Sequence, residues 1–484
     1  MILISTRDSR MGVPASKAVL MGIAPDGGLF VPLKFPQLSI EKDEPYPALA
    51  ARVLAQFFDD LPELDKLTQE AYRCFDDPRV APVVKTADGE YVMELWHGPT
   101  LAFKDMALSV LPRLLTASMA LHGGSDVLIL VATSGDTGKA ALEGFCDVPH
   151  TRIVVFYPSD GVSEMQKLQM VTQGGDNTQV VAVKGNFDDA QSGVKAMFAD
   201  ETFVSAVAEK GYSLSSANSI NFGRLAPQIA YYYGAYAQLV SMGEIAQGEP
   251  INFVVPTGNF GNILAGYYAK RMGLPVAKLI CASNRNNVLT DFFHSGEYSL
   301  KRPFYKTMSP SMDILISSNL ERLLFELTGR DPHMVSAMMK QLKETGVYDI
   351  GETARRALEA DFWADWCSEE ETMACIRRTF ETKGYLLDTH TAVAAGVYEK
   401  YKKTGDATKT VIVSTASPYK FPQDVLASLG ESTEGMDAFA LSRRLSEKTG
   451  TRLPRQIEEL ETKPVRHKTV VERSGMREAV LEAL

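Results

Sequence analysis

From about Tyr91 onward, short unbroken apolar runs alternate with stretches whose apolar positions recur every three or four residues. The runs DVLILVA (126–132), RIVVFYP (152–158), QVVAVKG (179–185), INFVVP (251–256), KLICAS (278–283) and TVIVSTA (410–416) predict strands. The intervening GKAALEGF, DDAQSGVKAMFAD, NILAGYYAKRMG and TAVAAGVYEKYKK predict amphipathic helices. Continuous apolar strands set between such helices indicate parallel sheet covered on both faces, and this many units predict two α/β layers. The first ninety residues differ. A glycine-rich turn, GIAPDGGLFVP, is followed by acidic helical stretches as far as Asp77.

One helical stretch has an unusual member. Read as a helix from about Thr100, ELWHGPTLAFKDMALSVLPRLL places Phe103, Ala107, Val110 and Leu114 on one apolar stripe. Lys104 heads the adjoining stripe with Leu108, Leu111 and Leu115. A lysine so placed snorkels its charge to water, pairs it, or gives up its proton.

With 484 residues the chain needs two or three domains. Its 45% hydrophobic and 23% charged residues are ordinary for a soluble protein, and no stretch is long and apolar enough to span a membrane. A formal net charge of -10 argues against nucleic acid as a partner but leaves room for a local basic pocket. The opening MILISTRDSR lacks the apolar region of a secretory signal, and five scattered cysteines show no CxxC pair. A cytoplasmic location is therefore expected.

Two loops at predicted strand ends, where ligands bind in open α/β sheets, and a third cluster just before an apolar helix carry candidate chemistry. In VVPTGNFGNILAGYY, Gly258 and Gly261 let the backbone bend ahead of a helix whose first N–H groups face outward, an arrangement suited to phosphate or simply to a tight turn. Neither a P-loop ending nor GxGxxG is present. In LVATSGDTGKAAL, Thr133, Ser134, Asp136 and Thr137 surround Gly135, more short polar side chains than helix capping requires. In SSANSINFGRLAPQ, Asn218, Ser219, Asn221 and Arg224 offer donors at a helix start, where a cation opposes the helix dipole unless an anion joins it.

Taken in order, DGGLFVP (26–32), HGPTLAFKD (97–105), TSGDTG (133–138), NSINFGR (218–224), PTGNFGN (256–262) and SMDILISSNLERLL (311–324) closely resemble threonine synthase of the longer type found in bacteria and fungi. The resemblance covers the chain to about Leu426. It implies an α/β fold-type II pyridoxal-phosphate enzyme, similar to the tryptophan synthase β subunit, with two parallel-sheet domains and an N-terminal extension. The expected division is 1–90 for the N-terminal region, 91–125 with 221–430 for the large cofactor-binding domain, 126–220 for the small domain and 431–484 for a C-terminal tail. The implied reaction converts O-phospho-L-homoserine and water to L-threonine and phosphate. Lys104 matches the lysine that forms the Schiff base with pyridoxal 5'-phosphate. Gly258, Asn259, Phe260, Gly261 and Asn262 match the loop holding the cofactor phosphate. Asp136 falls near the ring hydroxyl, and Thr415 at the pyridine nitrogen. Thr137, Asn218, Ser219 and Arg224 match residues that hold the substrate phosphate, and Ser134 the seat of its carboxylate. No metal, nucleic acid or membrane partner is implied, and the chain is expected to act as a monomer or homodimer.

Departures from the pattern stand near the expected site. TASPYKF (415–421) replaces the usual TAHPAKF, and DTHTA (388–392) the usual DPHTA. His97 and His390 each have a structural and a functional reading. Two alternatives also stay open: another fold-type II lyase or dehydratase acting on a phosphorylated hydroxy amino acid, and a non-catalytic phosphate-ligand sensor on the same scaffold.

Overall fold

The computed structural model describes residues 1–133, 135–159 and 162–484. Two parallel sheets dominate. The larger has six strands in the order Phe362–Trp366, Val276–Ser283, Ile251–Pro256, Thr410–Ser414, Glu90–Glu94 and Val83–Ala87. All neighbours run parallel except the last pair, a hairpin turning through Gly89 at φ 70°. The expected boundary at 90 therefore cuts a hairpin, because Val83–Ala87 closes the edge of this sheet. Every residue of Ile251–Pro256 and of Thr410–Ser414 is buried, as central strands covered on both faces must be.

The smaller sheet has five parallel strands in the order Thr469–Val471, Thr178–Val183, Thr151–Pro158, Asp126–Ala132 and Tyr212–Ser215. Its edge strand Thr469–Val471 and the helix Met476–Ala483 come from the segment expected as a tail. Met476 and Val480 of that helix pack with Val181, Val183 and Val194 against one face of the small sheet. The amino-terminal region forms a three-stranded antiparallel sheet, Gly12–Pro14, Ile2–Ser5 and Phe30–Pro32.

The twenty-residue helix Phe222–Ser241 is apolar around most of its circumference and correspondingly buried, packing on Gly261–Arg271 and Tyr46–Ala55. The helix expected from Thr100 is instead two pieces, Asp105–Leu108 and Leu111–His122. Pro112 explains the break, since it lacks an N–H and its ring collides with the carbonyl of residue 108. Residues 100–104 are drawn out of any helix by tertiary bonds. The Phe103 N–H donates to the Thr415 carbonyl (2.8 Å), the Ser417 N–H to the Leu101 carbonyl (3.0 Å), and Ala102 bridges Ala416. Leu101 takes the left-handed conformation at φ 60°, which a side chain as large as leucine adopts only where its surroundings enforce it.

Candidate active site

The carboxyl ends of the two sheets face a common centre, and Lys104 stands in it, 9% exposed, directly before the helix Asp105–Leu108. Its Nζ donates to Ser311 Oγ (3.3 Å) and lies 3.6 Å from Asp136 Oδ2. Burial holds the ammonium below its ordinary range. Asp136 opposes that fall, and the positive charges of Lys420 and Arg224 add to it. Asp105, adjacent in sequence, turns away from the amine and accepts from the Thr100 N–H (2.8 Å) and hydroxyl (2.6 Å). Burial raises its carboxyl to about 7.

Asp136 opens the helix Asp136–Phe145 at the end of Asp126–Ala132. Its Oδ1 accepts from Gln166 Nε2 (3.0 Å) and pairs with Lys420 Nζ (2.9 Å), while Oδ2 accepts from the Ser311 hydroxyl (3.4 Å). Burial works to raise this carboxyl, yet Lys420 and Lys104 hold it well below the ordinary range. Thr133 is spent on the turn, accepting from the Gly135 and Gly138 N–H groups at 3.0 and 2.9 Å. Thr137 is half-buried in the first helical turn, and Ser134 lies outside the described residues.

The turn Gly258–Asn262 joins Ile251–Pro256 to the helix Gly261–Arg271. Three observations fit it to the phosphate of pyridoxal phosphate. Phe260 is left-handed at φ 64°, and no side chain caps the helix. Asn262 Nδ2 is buried without a partner among the described residues, although its Oδ1 accepts from the Tyr231 (2.6 Å) and Tyr232 (2.8 Å) hydroxyls. A Cβ on Gly258 would lie 2.8 Å from the Ser311 carbonyl, so the turn and the loop bearing Ser311 approach as only glycine permits.

Arg224, in the first turn of Phe222–Ser241, is 4% exposed. Its Nη1 donates to the Ala217 carbonyl (2.8 Å), its Nε is unpartnered among the described residues, and burial pulls it down to about 10. Asn221 serves as a cap instead of a ligand, accepting from the Gly223 N–H (2.9 Å) and donating to the Val19 carbonyl (3.0 Å). Ser219 is tied to the turn Gly258–Asn262 through Asn319, whose Nδ2 donates to Ser219 Oγ (3.2 Å) and to the Asn259 carbonyl (2.9 Å). Asn218 is exposed and donates its N–H to Ser216 Oγ (3.2 Å). Thr415 is buried beside Lys104 by the Phe103 bond.

Four contributors escaped the sequence reading: Lys420, Ser311, Gln166 and Asn319. Lys420 carried a readable signal, a lysine among apolar neighbours like Lys104. Both histidines are held by hydrogen bonds. His390 Nε2 accepts from the Ser311 N–H (3.2 Å) and its Nδ1 meets Asp388 Oδ1 (3.1 Å), so it anchors the loop opposite Lys104. His97 bridges Asp76 (2.6 Å) and Glu94 (2.8 Å). Of the departures, Ser417 caps the turn Pro418–Lys420. The Tyr419 hydroxyl donates to the Thr451 carbonyl (2.9 Å), fastening the C-terminal segment to this loop.

Comparison with known proteins follows the same motifs. "Threonine synthase N terminus" matches residues 2–72, "Pyridoxal-phosphate dependent enzyme" residues 78–417, and "Threonine synthase, C-terminal" residues 391–480. Threonine synthase-like 1 of Macaca fascicularis is 42% identical over 86% of this chain, and the chain spans 58% of that relative's length. Threonine synthase of Pseudomonas aeruginosa is 40% identical, with 89% of this chain and 91% of that protein covered. The crystal structure of pyridoxal-phosphate-bound threonine synthase from Brucella melitensis superposes with a TM-score of 0.89 at 38% identity, covering 100% of this chain and 99% of the other.

Proposed function

Because the chain belongs to the threonine synthase family of pyridoxal-phosphate-dependent enzymes, we propose that it converts O-phospho-L-homoserine and water to L-threonine and phosphate. The observation that carries this reading is a buried guanidinium, Arg224, with no carboxylate partner among the described residues, whose field reaches a buried amine, Lys104. A lone buried cation is costly unless an anion arrives to meet it. A second anion seat at the turn Gly258–Asn262 supports two phosphates in one site, one on the cofactor and one on the substrate.

In this reading Lys104 would bind the cofactor's aldehyde, the turn Gly258–Asn262 would hold its phosphate, and Asp136 and Thr415 would be the side chains that hold its ring. When bound, pyridoxal phosphate would supply the electron sink that stabilises negative charge on the substrate's amine-bearing carbon. Lys104, as the free amine, would remove the protons from Cα and Cβ and return protons to Cγ and Cα, with water adding at Cβ after phosphate has left Cγ. The amine form needed for this is the one its burial favours. Arg224, with Ser219, Thr137 and Asn218, stabilises the charge that gathers on the phosphate as it leaves Cγ. Ser134 seats the substrate carboxylate. A cytoplasmic location is part of the same reading, supported by five cysteines that all stand as free thiols.

The deciding experiment incubates the full chain with pyridoxal phosphate and O-phosphohomoserine and assays threonine and phosphate together. Equal amounts of both are expected, with neither in Lys104→Ala. Phosphate accompanied by a keto acid and ammonia would overturn the proposal while leaving the fold intact.

A further inference from the structure

Two buried lysines share one buried carboxylate in this site. Lys104 is 9% exposed, Lys420 1% and Asp136 5%. If both amines were ammonium, Asp136 could balance only one of them, and Arg224 adds a further positive charge toward Lys104. Burying an uncompensated ammonium is unfavourable enough that one of the pair gives up its proton. Their partners decide which.

Lys420 Nζ has a full set of acceptors: Asp136 Oδ1 at 2.9 Å, Gln169 Oε1 at 2.9 Å and the Thr100 carbonyl at 3.1 Å. An ammonium has three N–H donors, and each finds an acceptor at ordinary hydrogen-bond distance. Among the described residues Lys104 Nζ has the Ser311 hydroxyl at 3.3 Å and Asp136 Oδ2 at 3.6 Å and no third acceptor. The Ser311 hydroxyl is itself shared, since it also reaches Asp136 Oδ2 at 3.4 Å. Beyond Asp136, and among the described residues, Arg224 acts on Lys104 and Asp105 interacts with Lys420. Both push the same way: the cation discourages a proton on Lys104, and any negative charge on Asp105 favours one on Lys420.

We propose that Lys420 is the permanent ammonium of the pair, holding Asp136 as a carboxylate and leaving Lys104 as the neutral amine. Lys420 is thus a positioning residue that acts on the reacting amine through Asp136 without touching it. It also ties three segments together at the site: the loop 415–421, the helix Glu164–Val171 through Gln169, and the Lys104 loop through Thr100. The inference rests on the proposed role of Lys104, but its test does not require the cofactor.

The test is a carbon-13 NMR titration of the cofactor-free full chain containing lysine labelled at Cε. The Lys104 and Lys420 signals are identified by their loss in Lys104→Arg and Lys420→Met. In the wild type Lys104 is expected to titrate first as pH rises, with Lys420 still charged. Lys420→Met leaves Asp136 to Lys104 alone and raises its midpoint by about one pH unit or more. Asp136→Asn lowers that midpoint, and Lys420→Arg, which keeps the charge, leaves it within a few tenths. A purely structural lysine would not produce shifts of opposite sign in the two neutralised variants. Lys420 titrating before Lys104, or a Lys104 midpoint unmoved in Lys420→Met, would overturn the proposal. If Lys420→Met does not fold, the order of the two wild-type midpoints decides alone. Borohydride fixation of pyridoxal phosphate on Lys104 is scored separately, so failure of the cofactor reading is distinguishable from failure of this one.

Discussion

Replacing Arg224 by methionine separates stability from function in opposite directions. The guanidinium is buried with no carboxylate partner among the described residues, and burial pulls it down to about 10. Two to three tenfold steps, at about 1.4 kcal/mol each, put the cost of keeping it charged at roughly 3 kcal/mol. Methionine fills much of the same space with no charge. The Ala217 carbonyl then loses its 2.8 Å donor, which costs about 1 kcal/mol or somewhat more. The variant should therefore unfold in urea at the wild-type midpoint or above it, by up to about 2 kcal/mol. Catalysis should move the other way. Removing one partner of a buried charge pair costs about 2–5 kcal/mol, so kcat/KM for O-phosphohomoserine should fall roughly thirtyfold to several thousandfold. Inorganic phosphate gives a third reading: it should raise the wild-type midpoint through Arg224 and raise that of Arg224→Met less. A variant that keeps kcat/KM within threefold would refute the assignment of Arg224 to the phosphate. One that loses several kcal/mol of stability would refute the charge-burial reasoning.

Two further changes probe the surroundings. Gly135 sits at φ 146°, and a Cβ there would lie 2.4 Å from Gln166 Nε2, the group that donates to Asp136. Gly135→Ala should cost about 1–3 kcal/mol in strain and weaken pyridoxal phosphate binding about tenfold, measured by absorbance titration; unchanged stability and affinity would count against the packing described. His97 is partly desolvated, which lowers its proton affinity, but hydrogen bonds to Asp76 and Glu94 outweigh this and raise it to about 9. A histidine raised in the folded state stabilises fully below its unfolded value near 6.5, and that contribution disappears as pH climbs through 9. Wild type should exceed His97→Asn by about 1–2 kcal/mol at pH 6, and the gap should close by pH 10; a gap constant across that window would show that the charge contributes nothing.

The strands were legible because burial on both faces writes a continuous apolar run, and Asp126–Ala132 and Ile251–Pro256 have the bounds their sequences suggest. The helix expected from Thr100 was not, because its start is decided by the distant segment 415–417, which draws residues 101–103 into extended contacts. Local periodicity carries no trace of such a partner. The same limit hid the role of His97, whose partner Asp76 lies twenty-one residues away. It hid the tie from Tyr419 to Thr451 as well, because that partner lies thirty-two residues on, in the C-terminal segment. Lys104 was legible as an anomaly: a charge on an apolar stripe needs a reason. Lys420 presents the same anomaly in PYKF, but four residues are too few to display a stripe.

The departures from the family pattern can be judged by where their side chains are spent. Ser417 accepts from the Tyr419 N–H at 3.4 Å, capping the short turn that delivers Lys420 to Asp136. Tyr419 points its hydroxyl away from Lys104, to Thr451, bracing the same turn from the outside. Thr389 occupies the first position of the helix Thr389–Tyr401, where proline is also well accommodated because that N–H has no partner within the helix. Asp388 still caps the helix through the His390 and Thr391 N–H groups, so the exchange leaves His390 aimed at Ser311. All three changes therefore fall on scaffolding that presents Lys420 and Ser311.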